Sequence, residues 1–252
     1  MIALITGATS GIGKATALKL ASMDYELIIT GRRKNNLEIL KKRILENYNI
    51  KITILPFDIR DQHATEHAIN NLPKEWLNID LLINNAGLAA GFDPVNEASW
   101  NDWETMIDTN VKGLLYLSRL IIPFMVSRKQ GHIINISSIA GINTYANGSV
   151  YCASKHAVNA ITEGMRIDLL KHNIKVSSIA PGAVETEFSL VRFKGDADAA
   201  KKVYKGFVPL NAKDIAETIE FVITRPQHVN INDILIMPTQ QANSYYTYRK
   251  ED

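Results

Sequence analysis

Tyr151 and Lys155 stand four positions apart in Tyr151-Cys152-Ala153-Ser154-Lys155. On a helix that spacing stacks both side chains on one face. A phenol ordinarily loses its proton near pH ~10, and a neighbouring ammonium favours the phenolate. Such a pair can move a proton to or from an alcohol oxygen, the step that must accompany hydride transfer between an alcohol carbon and a nicotinamide. Taken alone, the pair reads as a solvent-facing helical contact. Ser138 gives it weight, because it ends an apolar run, and ligands of open α/β sheets bind at the carboxyl ends of strands. Its hydroxyl can hold a substrate oxygen near Tyr151; Ser137 is the alternative at the same strand end.

A second constellation opens the chain. The run at residues 2–6 leads straight into Thr6-Gly7-Ala8-Thr9-Ser10-Gly11-Ile12-Gly13. Glycines let the backbone turn sharply and approach a pyrophosphate, and the helix that follows offers free N–H groups and a positive dipole end. Strand, glycine turn and helix in that order are the context that a dinucleotide site requires. A P-loop reading fails, since Ala15 stands where Ser or Thr should hold magnesium and Ala8 replaces the leading glycine. At the end of the second apolar run an NAD site would place an acid; this chain has Thr30-Gly31-Arg32-Arg33. Two guanidiniums suit a 2′-phosphate and so NADP, with Lys14 adding charge nearby. The other reading of Arg32 and Arg33 is solvated charge at a helix start.

These groups need a scaffold, and the pattern supplies one. Apolar, β-branched runs at residues 2–6, 26–30, 51–56, 79–83, 132–137, 175–179 and 231–237 read as buried strands. Helical periodicity marks residues 11–22, 36–47, 61–71, a long stretch within 99–128, then 149–171 and 214–224. Strand–helix alternation throughout predicts a single-domain, Rossmann-like, doubly wound α/β fold over residues 1–252: a mostly parallel seven-stranded sheet with helices on both faces. Between Pro181 and about Pro209 no clean strand or strong helix is expected, which suits a lid. The polar, aromatic tail from Tyr245 reads as a surface or subunit-contact segment.

The bulk properties narrow the class. The 252 residues are 46% hydrophobic and 21% charged, enough for a full core, and a net charge of +2 gives no nucleic-acid signal. One cysteine, Cys152, excludes an internal disulfide framework and fits a reducing compartment. It reads as a buried small residue. His63 and His67 lack companion ligands, so no metal is expected. No apolar run approaches the ~18–20 residues of a membrane span, and the start lacks a signal-peptide pattern, which points to the cytoplasm.

The glycine turn, Asn84-Asn85-Ala86-Gly87, Asn110, Ser138 thirteen residues before Tyr151, the Tyr-xxx-Lys pair, and Pro181-Gly182 with Thr186 occur in order over nearly the whole chain. Together they resemble the short-chain dehydrogenase/reductase family, and the thirteen-residue spacing favours Ser138 over Ser137. Residues 82–91, 103–110, 187–195 and 228–232 resemble its NADP-dependent 3-hydroxy acid dehydrogenases, a subgroup also described as serine, allo-threonine or 3-hydroxypropionate dehydrogenases. The sequence departs from that subgroup at Ala183-Val184-Glu185-Thr186, one residue shorter and without a glycine pair.

The resemblance implies an enzyme with NADP as cofactor, a small hydroxy acid or carbonyl compound as substrate, and a homotetramer, with no nucleic acid or membrane partner. Lys155 then also hydrogen-bonds the nicotinamide ribose, and Asn110 holds a water that links Lys155 to solvent. Gly7, Thr9, Ser10, Gly11, Ile12 and Gly13 take the pyrophosphate side. Asp58 accepts from the adenine amino group or caps the following helix. Asn85 and Gly87 let the backbone approach the adenosine ribose, and Pro181, Gly182, Val184 and Thr186 pass the carboxamide. For a substrate carboxylate Arg192 is the first candidate and Lys194 the second. Two rivals stand beside this reading: a broader carbonyl or acyl-intermediate reductase, and a non-catalytic NADPH sensor.

Overall fold

The apolar runs pair into one sheet in the computed structural model, which describes residues 1–250; Glu251 and Asp252, the end of the tail, lie outside the described residues. The strands are β1 (Ile2–Ile5), β2 (Glu26–Gly31), β3 (Ile52–Pro56), β4 (Ile79–Asn84), β5 (Gly131–Ile136), β6 (Ile174–Pro181) and, after a two-stranded excursion, β9 (Asp233–Ile236). All seven run parallel in the order β3-β2-β1-β4-β5-β6-β9, with Leu4 level with Ile28 on one side and Leu82 on the other. The fold is α/β and Rossmann-like, as the alternation predicts.

Helices cover both faces: α1 (Gly11–Ala21), α2 (Lys34–Asn47), α3 (Gln62–Asn70), α4 (Trp100–Ile107), α5 (Leu114–Arg128), α6 (Ser149–Leu169) and, beyond two short helices, α9 (Ala212–Ile223). Successive strand residues point to opposite faces, so one strand feeds two cores. Ala3 and Ile5 join Leu20, Leu37, Leu40, Ile215 and Ile219 on the α1–α2–α9 side. Ile2 and Leu4 join Ile69, Leu117, Ile121, Met125 and Leu169 on the α3–α5–α6 side. Because the central strands are buried on both faces, they carry no polar alternation. β9, an edge strand, does alternate between exposed and half-buried positions. No helix among the described residues is long and apolar enough to cross a membrane.

Two stretches differ from the sequence expectation. Residues 181–209 are not elementless: β6 runs on to Pro181, then come β7 (Val184–Glu185), α7 (Phe188–Arg192), α8 (Ala197–Lys202) and β8 (Leu210–Asn211), with β7 and β8 paired in parallel. Helices of five and six residues are too short to show periodicity. They depend on local caps, such as the Asp196 carboxylate accepting from Asp198 and Ala199 N–H at 3.0 Å each. The expected helix within 99–128 is broken by a wide turn at Asp108–Gly113, where hydrogen bonds span five residues.

The glycine turn is steric as well as conformational. Gly7 has φ +65°, open to glycine at little cost. A Cβ on Gly13 would fall 2.4 Å from the Gly7 carbonyl oxygen and 2.5 Å from Asn85 Nδ2. Gly13→Ala should therefore destabilise the chain by about 1–3 kcal/mol, the usual range for overpacking. Urea unfolding checks this, and an unchanged midpoint would show that the turn can spread at no cost.

Candidate active site

The carboxyl ends of β1, β2, β4, β5 and β6 open into one cavity of about 880 Å³. At its base the β1 turn is stitched to the β4 end. The Thr6 hydroxyl accepts from Asn85 N–H (2.9 Å) and Ala86 N–H (2.8 Å) and donates to Ile83 O (3.3 Å). The Asn85 amide donates back to Thr6 O (2.8 Å) and Gly7 O (3.2 Å). The turn is thus held open along its outer edge, where Gly7, Thr9, Ser10, Gly11 and Ile12 line the cavity. Gly13 does not line it; that residue packs inward against Gly7 and Asn85.

The second strand delivers the basic pair to the same edge. Arg33 Nη2 donates to Thr9 Oγ1 and Ser10 Oγ, both at 2.8 Å, and Nε to Thr9 Oγ1 at 3.2 Å. Its Nη1 meets Glu187 Oε2 at 2.8 Å. Arg33 hydrogen bonds, with help from Ser10 and the charge of Lys14, hold the Glu187 carboxyl below its usual range despite some burial. Arg32 is 3.9 Å from Asp58, which Arg60 grips at 2.7 Å. Burial pushes the Asp58 carboxyl up, but the hydrogen bonds and charge of Arg60, with Arg32, bring it below the ordinary carboxylate value. Asp58 lines the cavity, and the cap of α3 is Asp61, accepting from Ala64 N–H at 3.0 Å; the helix-cap reading of Asp58 is thereby removed.

At the other end, Ser138, Tyr151 and Lys155 line the cavity together. Ser138 follows β5 in extended backbone, its hydroxyl accepting from Ala140 N–H at 3.1 Å. Ser137 is committed elsewhere, donating to Asn159 Oδ1 at 2.5 Å. Lys155 donates to Ile136 O at 2.9 Å, and burial lowers its ammonium to about 8. The expected depression of the Tyr151 phenol is not found. Burial drives it well above its ordinary value, Tyr145 adds to that, and only a Ser138 hydrogen bond and the Arg192 charge pull the other way. A four-residue spacing brings an ammonium near the phenol but does not record the desolvation that accompanies burial.

Asn110 sits in the wide turn, one layer behind the cavity wall. Its amide donates to Leu88 O (2.8 Å) and Ser154 Oγ (2.9 Å), and its oxygen accepts from Leu88 N–H (2.8 Å). The Lys155 ammonium and the Asn110 amide oxygen converge against Gly87, which lines the cavity with Asn85. Pro181, Gly182, Val184 and Thr186 line the opposite wall.

Arg192, on α7, enters the cavity from the lid. Nη1 donates to the Tyr145 hydroxyl at 3.1 Å, and the guanidinium carbon lies 4.6 Å from the Phe92 ring centre and 5.8 Å from that of Tyr151. Nη2 is buried with no hydrogen-bond partner among the described residues. Lys194, the second candidate, is excluded: it points out of the cavity and pairs with Asp102 at 2.8 Å.

Sequence reasoning passed over several wall residues. Tyr145 and Phe188 flank Tyr151, whose ring is 5.6 Å from that of Phe188. The tail is not merely surface, since Tyr245, Thr247 and Arg249 line the mouth and Lys250 N–H donates to Gly206 O at 2.7 Å. Glu187 left no signal, because its partner lies 154 positions away.

Residues 1–196 match the short chain dehydrogenase family. The chain is 46% identical over 243 residues to the NADP-dependent 3-hydroxy acid dehydrogenase of Escherichia coli (strain K12), covering 96% of each. It is 43% identical over 249 residues to the enzyme of that name from Schizosaccharomyces pombe (strain 972), covering 98% of this chain and 96% of the other. Among solved structures, the closed form of a serine dehydrogenase complexed with NADP+ superposes with a TM-score of 0.92 at 45% identity over 100% of both chains. Serine dehydrogenase from Escherichia coli gives 0.81 at 40% identity, covering 96% and 100%.

The buried lysine makes stability depend on pH. Lys155 titrates at about 8 in the fold against 10.5 for the free side chain, so the unfolded chain binds the extra proton between those values. Stability then rises with pH across that window. From pH ~7.5 to ~10 the wild type should gain about 2 kcal/mol of unfolding free energy relative to Lys155→Met. Parallel urea profiles for the two chains would sink the assignment.

Proposed function

Because the chain belongs to the short-chain dehydrogenase family, we propose that it is an NADP-dependent oxidoreductase acting on short 3-hydroxy acids of the serine, allo-threonine and 3-hydroxypropionate class. The observation that carries this reading is the meeting, in one cavity, of Ser138 and Tyr151 with the half-satisfied guanidinium of Arg192. A short acid has a hydroxyl and a carboxylate a few bonds apart, and the cavity offers a proton-transfer group beside a buried cation.

The residues present fit the cofactor. Arg32 and Arg33 with Thr9 and Ser10 form a polar, cationic corner for a 2′-phosphate, and Gly7, Gly11 and Ile12 leave the turn open to a pyrophosphate. Asp58 would take the adenine amino group, Asn85 and Gly87 the adenosine ribose side, and Pro181, Gly182, Val184 and Thr186 the carboxamide. Gly13 contributes by packing alone. When bound, the nicotinamide supplies or accepts the hydride.

The protein's own groups handle the proton. Ser138 hydrogen-bonds the substrate oxygen and fixes it beside Tyr151. In reduction, Tyr151 gives its proton to the carbonyl oxygen, and its raised pKa keeps that proton in place until then. In oxidation the phenolate takes the proton back, and positive charge from Arg192 favours that form. Lys155, which lines the cavity with Tyr151, holds the nicotinamide ribose. Asn110, its side chain engaged with Leu88 and Ser154, would hold from the wide turn the water that links Lys155 to solvent. Arg192 binds the carboxylate. The strand–helix alternation supports one dinucleotide-binding and catalytic domain, the single cysteine a reducing, cytoplasmic setting, and the family resemblance a homotetramer.

The aromatic walls, Phe92, Phe188 and Phe207, favour a second reading as a broader carbonyl reductase. Absorbance assays with NADP+ or NAD+ against L-serine, L-allo-threonine, 3-hydroxypropionate and 3-hydroxyisobutyrate separate the two. NADP+-dependent turnover of these acids is expected; turnover of apolar carbonyls alone would replace the acid reading. Tyr151→Phe should lower kcat about 10²–10⁴-fold while NADPH still binds, and wild-type kcat in the folded variant would refute the mechanism. Losing a charged hydrogen bond costs about 1.5–3 kcal/mol, so Arg192→Ala should raise KM for the acid roughly 10–100-fold. An unchanged KM removes Arg192 from the substrate site.

A further inference from the structure

Arg33 is oriented with unusual completeness for an arginine that is half exposed. Nε and Nη2 are spent on the Thr9 and Ser10 hydroxyl oxygens, which sets the guanidinium plane and leaves the Nη1 edge facing Glu187 Oε2 at 2.8 Å. Both hydroxyls accept from Arg33, so their own hydrogens remain to donate to an anion. Ser10 and the charge of Lys14 both help to hold the Glu187 carboxyl below its usual range. Arg33, Ser10 and Lys14 therefore build an anion site, and a carboxylate of the chain itself sits in it. Glu187 also lines the cavity, immediately before α7.

We infer that Glu187 competes with the adenosine 2′-phosphate for the Arg33 and Ser10 donors, and so sets how strongly the chain prefers a phosphorylated ribose. This rests on the reading of NADP as cofactor. One guanidinium edge cannot serve a carboxylate and a phosphate dianion together, because the two anions repel at that separation. A 2′-phosphate must displace Glu187 before it reaches Arg33. A ribose with a free 2′-hydroxyl need not, since a hydroxyl can donate to the carboxylate. Glu187 is thus a specificity-determining residue that lowers the discrimination which two arginines would otherwise give.

Calorimetric titration of the full chain with adenosine 2′,5′-bisphosphate and with adenosine 5′-monophosphate tests this without any turnover. Glu187→Gln should tighten the bisphosphate about fivefold, the size of one exposed charge pair, and leave the monophosphate Kd unchanged. In an Arg33→Ala background the same substitution should give no gain. A bisphosphate Kd that stays the same or weakens overturns the proposal. So does an equal shift for both nucleotides, which would mark a merely structural role, or a gain that persists without Arg33. Equal binding of the two nucleotides by the wild type and by Glu187→Gln alike refutes the NADP reading itself, a different result from any of these.

Discussion

The junction between β1 and β4 is the constraint on which the rest depends. Strands β1, β2 and β3 step outward in one direction, and β4, β5, β6 and β9 in the other. The connections leaving β1 and β4 therefore diverge, and a crevice opens between them. Such a crevice exposes turn backbone that must still be hydrogen-bonded. Thr6 and Asn85 meet that demand from below, the hydroxyl with three bonds and the amide with two. Their grip fixes how close Gly7 and Gly13 must come to the β4 end, and it leaves the outer edge of the turn facing the cavity. Tight packing beneath and an open turn edge above arise from the same contacts.

At the far end of the crevice the governing quantity is desolvation. Tyr151 and Lys155 are both buried, and burial disfavours the charged form of each: the phenol rises and the ammonium falls to about 8. Two groups whose ordinary values nearly coincide are thus driven apart, with the phenol as the tighter proton holder. The lysine is tied to the Ile136 carbonyl, and the charge that does act on the phenol comes from Arg192 on the lid. That charge belongs to α7, a link that the Tyr-xxx-Lys spacing does not contain.

What was legible in the sequence follows from the same physics. Central strands buried on both faces must be apolar and β-branched, so these five runs stood out, and the strand–turn–helix order at Gly7 revealed the phosphate edge. Helix α9 began two residues earlier than the periodicity suggested, because Asn211 and Asp214 form reciprocal cap bonds that no apolar spacing records. The short helices of the lid escaped detection for another reason. Helices α7 and α8 are shorter than two turns, held by capping and by contacts to distant loops, and amphipathic patterning needs more length than that. Lys194 and Arg192 lie two residues apart in one basic segment, yet one points at Asp102 and the other into the cavity; only the helix end that separates them decides this.

The lid places opposite charges at opposite ends of the cavity. Glu187 and Arg192 are five positions apart, roughly 7–8 Å along a helix axis. The first faces Arg33 beside the phosphate turn, the second Tyr145 and the Tyr151 ring. Their restraints differ in kind. Glu187 is held by an ion pair, whereas Arg192 is held by a carbonyl oxygen of Gly91, a hydroxyl and aromatic faces, with one nitrogen left without a hydrogen bond among the described residues. An anion arriving at the Arg192 end finds a cation that no carboxylate among the described residues neutralises, and its charge is drawn towards Tyr151. An anion arriving at the Arg33 end must first exchange places with one. The same short helix thus makes one end of the cavity receptive and the other competitive, and it does so with two side chains whose positions are fixed by a single turn and a half of backbone.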